Sequence, residues 1–393
     1  MPRITHAPAL VVCMAAPLAA PAAEFTRFGL LGASTFAGPT VSDISDDGTT
    51  LVGSGSAQLG TGIVGVRWSR TQPYEYLAPP PSNFATFSAG YGISGNGSVA
   101  VGQRRESQFI GFRFTTATGA LPIDTERSLA RAISPDGSVI IGSRNDLPVF
   151  WSGASPAQAI PQLPGTAFGL ASGISASNAV IAGTMNAQSA NNFTAFRAFS
   201  WSSGGGVVEL QRLPGDGHSA AFRISADGHV IVGASAPTLG NNPITNANDL
   251  NLPRAVRWID NGPAQLIPLP AGALQATAAD VSADGGVIVG NAYSTATPGG
   301  DYNASIPWIW TAASGTLRIG EFLTSLGVDI TGWQAFDSVT AISADGLSIA
   351  GTGRFLAGPG QTINVPWLLT VPSPSAAALF AITSLAGLMR RRR

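Results

Sequence analysis

The 393-residue sequence contains no lysine, one cysteine and three histidines, and charged residues make up only 11% of it. Each shortage excludes something. The single thiol, Cys13, falls in an apolar leader, so disulfides, zinc-thiolate sites and cysteine nucleophiles are excluded from the mature chain. His6 lies in the same leader, and the remaining His218 and His229 have no metal-ligand spacing between them. Removing Arg3 and Arg390 to Arg393 leaves 16 basic residues against 22 acidic ones, a net charge of about −6. With no basic stripe, that surface argues against a nucleic-acid partner. No Gly-x-Ser-x-Gly elbow follows a strand, and the glycines track hairpins rather than a phosphate cradle. The Asn-rich segment 240–253 offers oxygens to a hard cation but only one acid, Asp249. Catalytic residues, cofactors and metals are therefore expected to be none.

What is present is a phrase repeated seven times: DISDDGTTLVG, GISGNGSVAVG, AISPDGSVIIG, GISASNAVIAG, RISADGHVIVG, DVSADGGVIVG and AISADGLSIAG. Its serines are Ser45, Ser94, Ser134, Ser175, Ser225, Ser282 and Ser343. Self-similarity at a spacing of roughly 40 to 60 residues marks a repeat architecture. Two apolar runs flanking Asp-Gly form the strongest short-range hairpin signal, because the tight primed turns need positive φ. An aromatic third strand follows, as in VRWS (66–69), FSWS (199–202) and WIWT (308–311), and then a weaker fourth, as in EYLAP, LQRLPG and TLRIG. Four short antiparallel strands repeated seven times predict an all-β fold, a seven-bladed β-propeller.

The seventh unit stops after its third strand, at Trp367 to Thr370, whereas residues 25–32 near the other end read as an orphaned fourth strand. Pairing the two closes the ring and removes exposed sheet edges. Connectivity then puts every Asp-Gly turn on one face of the disc. Length variation falls on the other, in residues 54–65, 184–194, 234–252, 291–306 and 352–364, and that long-loop face is the expected interaction surface. The link 320–336 has apolar residues at helical spacing and predicts a short helix.

The turn aspartates Asp47, Asp136, Asp227, Asp284 and Asp345 resemble the Asp-box and the SPDG turns of TolB-like propellers, which implies that they tie their own hairpins together. Arg67, Arg113 and Arg257 alternate with aromatics on third strands. They read either as a cluster for a carboxylated sugar or, preferably, as packing between blades.

Residues 1–23 have the layout of a secretory signal peptide, one arginine followed by an apolar stretch and small residues, with cleavage at Ala22 and Ala23. The propeller is expected over 24–370. In the tail, 371–393, Val371, Pro372, Ser373 and Pro374 precede a C-terminal apolar helix (376–389) and Arg390, Arg391, Arg392 and Arg393. That order resembles the PEP-CTERM sorting signal, with Ser in place of its usual Glu. The resemblance implies an exosortase-type processing enzyme as partner, membrane contact through the helix, and delivery to the cell surface or beyond. Ala-Phe-Arg at 195–197, Trp201, Leu-Pro-Gly at 213–215 and Ile-Ser-Ala-Asp-Gly at 224–228 resemble the extracellular HAF repeat without its histidine.

The function expected from these features is an exported, surface- or exopolysaccharide-associated binding or matrix protein without catalysis, whose partner is an extracellular polysaccharide or a surface protein. Such a protein should have an uncharged central channel. The alternatives are a carbohydrate-active propeller enzyme, hydrolase or lyase, which needs several acids or a Tyr/Arg cluster converging on the channel, and a purely structural envelope component.

Overall fold

The structure, a computed structural model, describes residues 22–28, 38–56, 62–70, 74–78, 87–189, 192–239, 250–294 and 305–372. The leader up to residue 21, the Asn-rich segment 240–249, Ser373, Pro374, the expected apolar helix and Arg390 to Arg393 lie outside them.

Seven four-stranded antiparallel sheets form the expected seven blades. Their inner strands are Thr40–Ile44, Ser88–Ile93, Ser128–Ile133, Phe168–Ile174, His218–Ile224, Gln275–Val281 and Trp333–Ile342.

The repeated phrase makes each hairpin from its own atoms. In the third blade Ser134 Oγ donates to Asp136 Oδ1 (2.5 Å) and accepts from the Val139 N–H (3.0 Å), while the same carboxylate accepts from the Ser138 N–H (3.0 Å). Gly137 supplies the positive φ of +74°. The hydrogen bond from Ser134, with that from Ser138, holds the Asp136 carboxyl down at about 2. Asp47, Asp227, Asp284 and Asp345 accept from their serines in the same way, and Asn96 replaces the acid in the second blade. The fourth blade has Ser177 there, with Asn178 in the left-handed position at +58°. All seven serines are buried. Turn backbones also bond from blade to blade, as Asp46 N–H to Gly95 O (2.9 Å) and Gly95 N–H to Pro135 O (2.8 Å).

Between blades the core is built on third-strand aromatics. Trp68, Phe112, Phe199, Trp258, Trp308 and Trp367 are almost wholly buried. Trp258, for example, packs with Leu213, Ile224 and Val256 and donates Nε1–H to Gln211 O at 2.6 Å. Two of the third-strand arginines, Arg67 and Arg257, join this packing. Arg67 donates to Gly97 O in the next blade (3.0 Å) and pairs with Glu75, and the Arg257 guanidinium lies 4.6 Å from the Trp310 ring centroid.

The last blade has the strand Glu24–Arg27 as its outer member, paired antiparallel with Gln361–Thr370. The closing strand covers Glu24–Arg27, and residues 29–32 of the expected segment lie outside the described residues. Its Phe25 ring sits 5.4 Å from Trp333, 6.1 Å from Phe336 and 5.9 Å from Trp367. Val371 is buried in the same blade and donates to Leu347 O (2.8 Å), so the fold runs one residue into the segment assigned to the sorting signal. Ala22 and Ala23, the expected cleavage point, directly precede the closing strand, and Ala23 packs against the last blade's core.

Two local expectations change. The fourth strand of blade 4 is Gly206–Glu209, ahead of LQRLPG. Segments 184–194 and 352–364 are mostly strand rather than loop, because Val180–Ser189 with Asn192–Ser202, and Ser348–Gly358 with Gln361–Thr370, continue as long hairpins. The short helix of the last link is present as Ile319–Ser325, with Ile319, Phe322 and Leu323 buried.

Candidate functional site

Every inner strand carries a β-bulge at the same place, just before the serine of its turn. The unpaired residues are Ser42, Tyr91, Arg131, Ser172, Phe222, Ala279 and Thr340. Opposite each bulge stands the glycine that ends the repeated phrase: Gly53, Gly102, Gly142, Gly183, Gly233, Gly290 and Gly351. A Cβ on any of them would lie 1.8 to 2.2 Å from an inner-strand carbonyl oxygen. The glycine therefore makes room for the bulge, and a bulge re-aims the residue that it leaves unpaired.

All seven bulged residues line one axial cavity of about 930 Å³. Its other walls come from the starts of the inner strands and from residues toward the long-loop face, among them Phe109, Phe168, Phe196 and Tyr293. Arg127 and Asp146, largely exposed and paired at 2.8 Å, mark the mouth on that face.

Charge gathers at the floor. Arg223, from blade 5, donates to Ser172 O in blade 4 (3.1 Å) and across the axis to Ser42 O in blade 1 (3.3 Å). Its Nε lies 3.9 Å from Asp280 Oδ1. Asp280 accepts from the Val281 and Ile342 N–H groups (both 2.9 Å), and Asp43 from those of Ile44 and Ile93 (both 3.1 Å), so each carboxylate ties its inner strand to the next blade. Burial pushes the Asp280 carboxyl up to about 7 against the pull of Arg223, and raises Asp43 likewise. Burial, then Arg223, lowers Arg131 to about 10. Arg131 lies 5.5 Å from the Tyr91 ring centroid, and among the described residues it forms no salt bridge.

The pH consequence follows from the sign of the Asp280 shift. A carboxyl raised above its unfolded value favours the folded state most below pH about 4, and that advantage disappears as pH rises through about 7. The stability of the wild-type protein relative to Asp280→Asn is therefore expected to fall between pH 4 and 7, measured by denaturant titration at each pH. A pH-independent difference would contradict it.

The channel is thus not uncharged. Sequence reading missed Asp43, Arg131, Arg223 and Asp280 because each resembles a solvated position beside a turn; the signal was their place one or two residues past the middle of the inner strand. His218 is buried at the end of its inner strand, with Nδ1 accepting from the Phe196 N–H (3.3 Å), and burial lowers its pKa. His229 is exposed and its Nδ1 lies 2.5 Å from Asp260 Oδ1, whose hydrogen bond raises it. Among the described residues no group of three or more His, Cys, Asp or Glu is placed to hold a metal, and no helix is long and apolar enough to cross a membrane.

No family model and no curated protein matches the sequence. Solved structures do share the fold. One is a prolyl endopeptidase studied for the role of inter-domain dynamics in catalysis and specificity, with TM-score 0.54 and 10% identity over 88% of this chain and 51% of that one. A chain of the mitotic checkpoint complex matches with TM-score 0.50 and 12% identity, over 94% of this chain and 100% of that one. An acylaminoacyl peptidase from Pyrococcus horikoshii has TM-score 0.48 and 8% identity, over 84% and 52%. The chain spans about half the length of the two peptidases. The expectation of a non-catalytic binding or matrix protein is corrected here: the structures that share the fold include a prolyl endopeptidase, and the charged channel departs from the uncharged one that expectation required, while at 12% identity or less the likeness itself is one of fold.

Proposed function

We propose that this chain is a peptidase-type propeller that takes short peptides into its axial cavity and works in peptide hydrolysis together with a separate catalytic unit. The cavity carries this reading. It is crossed by Arg223, walled by aromatic side chains and sized toward the upper end of the roughly 300–1,000 Å³ typical of ligand sites. The sequence features at the two ends extend the proposal to export and to processing by an exosortase-type enzyme at the membrane.

The bulged Ala279 offers a direct test, because its small side chain faces the cavity rather than the core. Ala279→Trp should reduce binding of fluorescein-labelled tetrapeptides by roughly tenfold or more, as lost burial of even one well-packed group predicts, while the melting temperature stays the same. Equal binding to wild type and variant in fluorescence anisotropy would remove the cavity from the function.

A further inference from the structure

Three arginines line the cavity, and two are already committed. Arg127 is paired with Asp146 at the mouth, and the Arg223 guanidinium is held by the carbonyls of Ser172, Phe222 and Ser42. Arg131 differs. It stands on a bulge at the floor, beside the face of Tyr91, and no described carboxylate pairs with it. The acids nearby form no ion pair with it: Asp43 attracts it only through space, and both oxygens of Asp43 and both of Asp280 accept backbone N–H groups. A guanidinium without a carboxylate partner, in the part of the cavity that Arg223 crosses, describes a site for an anionic group.

We infer that Arg131 anchors the free C-terminal carboxylate of a bound peptide, which enters carboxylate first from the long-loop face. Guanidinium and carboxylate match in a bidentate geometry, and burial strengthens the pair. The apolar walls, Phe168, Phe196 and Phe222, then meet the side chains of the last residues. This inference rests on the peptide-binding reading above and adds a direction and a chemical requirement to it. A terminal uronate would present the same carboxylate, and the competitor in the test separates the two.

The test uses the full chain and one N-terminally fluorescein-labelled tetrapeptide, Gly-Ala-Phe-Ala, as free acid and as C-terminal amide, with tetragalacturonate as competitor. The acid should bind roughly tenfold or more tightly than the amide. Arg131→Met should abolish the preference, and Arg131→Lys should keep part of it. Equal binding of acid and amide to the wild type overturns the anchor while leaving peptide binding in place, and this comparison decides even if Arg131→Met does not fold. Binding of neither peptide form overturns the peptide reading itself. Displacement of the acid by tetragalacturonate at lower concentration than by unlabelled peptide overturns the assignment of the site to peptides.

Discussion

Deleting residues 24–28 is expected to abolish the single cooperative unfolding transition of the disc. The segment supplies the whole outer strand of the last blade, from Glu24 opposite Thr370 to Arg27 opposite Trp367, and continues to Phe28, whose N–H donates to Pro366 O at 3.1 Å. It also carries three side-chain ties. Phe25 enters the cluster of Trp333, Phe336 and Trp367, Arg27 lies 4.1 Å from the Phe355 ring centroid, and Glu24 pairs with Arg70 of the first blade at 2.9 Å. The last tie matters for the ring, because it joins blade 7 to blade 1. Phe25→Ala alone should cost about 3 kcal/mol, the lower end for a Phe truncated within a core, since the ring is only partly buried. The deletion should cost more, because it also exposes the edge of Gln361–Thr370. Calorimetry of the full and shortened proteins decides the matter, and an unchanged melting transition in the deletion would contradict closure by this strand.

The second large effect is expected at a residue that looks interchangeable. Gly233→Ala adds one methyl group, yet its Cβ would stand 2.0 Å from Ala220 O and 3.0 Å from the Ala221 Cα. Those are backbone atoms of the bulged inner strand, so no side chain can rotate away. Overpacking typically costs about 1–3 kcal/mol, and an obstacle made of backbone places this substitution at or above the upper figure. The φ of Gly233 lies outside the left-handed region, so the penalty is steric and not conformational. Gly204→Ala is the control: nothing lies within 4 Å of its added Cβ, and it should leave stability within about 0.5 kcal/mol of wild type. Equal denaturant midpoints for the two variants would refute the steric account of the repeat glycine.

Much of the fold was legible because hairpins are local. Ser134, Asp136 and Gly137 lie within four residues of one another and specify their turn without help, and the same grammar recurs around the ring. The closing strand was legible for a different reason, since a missing fourth strand at one end and a spare one at the other can be matched by counting. The cavity was not. Its charged end is built from Arg131 and Arg223, which line it, with Asp43 and Asp280 beside them, and the four stand in four different blades and meet only when the ring closes. Nothing in the local sequence of AFRIS announces that Arg223 will reach a carbonyl 181 residues away. The long hairpins of blades 4 and 7 escaped for a related reason: their pairing extends past the aromatic strand into Asn-, Ser- and Gly-containing stretches that read as loop.

The ring of bulges separates what must stay fixed from what is free to change. Each bulge is held open by its glycine and by the hairpin beside it, and neither depends on which side chain occupies the unpaired position. The seven positions hold Ser, Tyr, Arg, Ser, Phe, Ala and Thr, a range from the smallest hydroxyl to the largest cation, on seven nearly identical backbones. Single codon changes at these sites can therefore retune the cavity one spoke at a time, with the disc itself untouched.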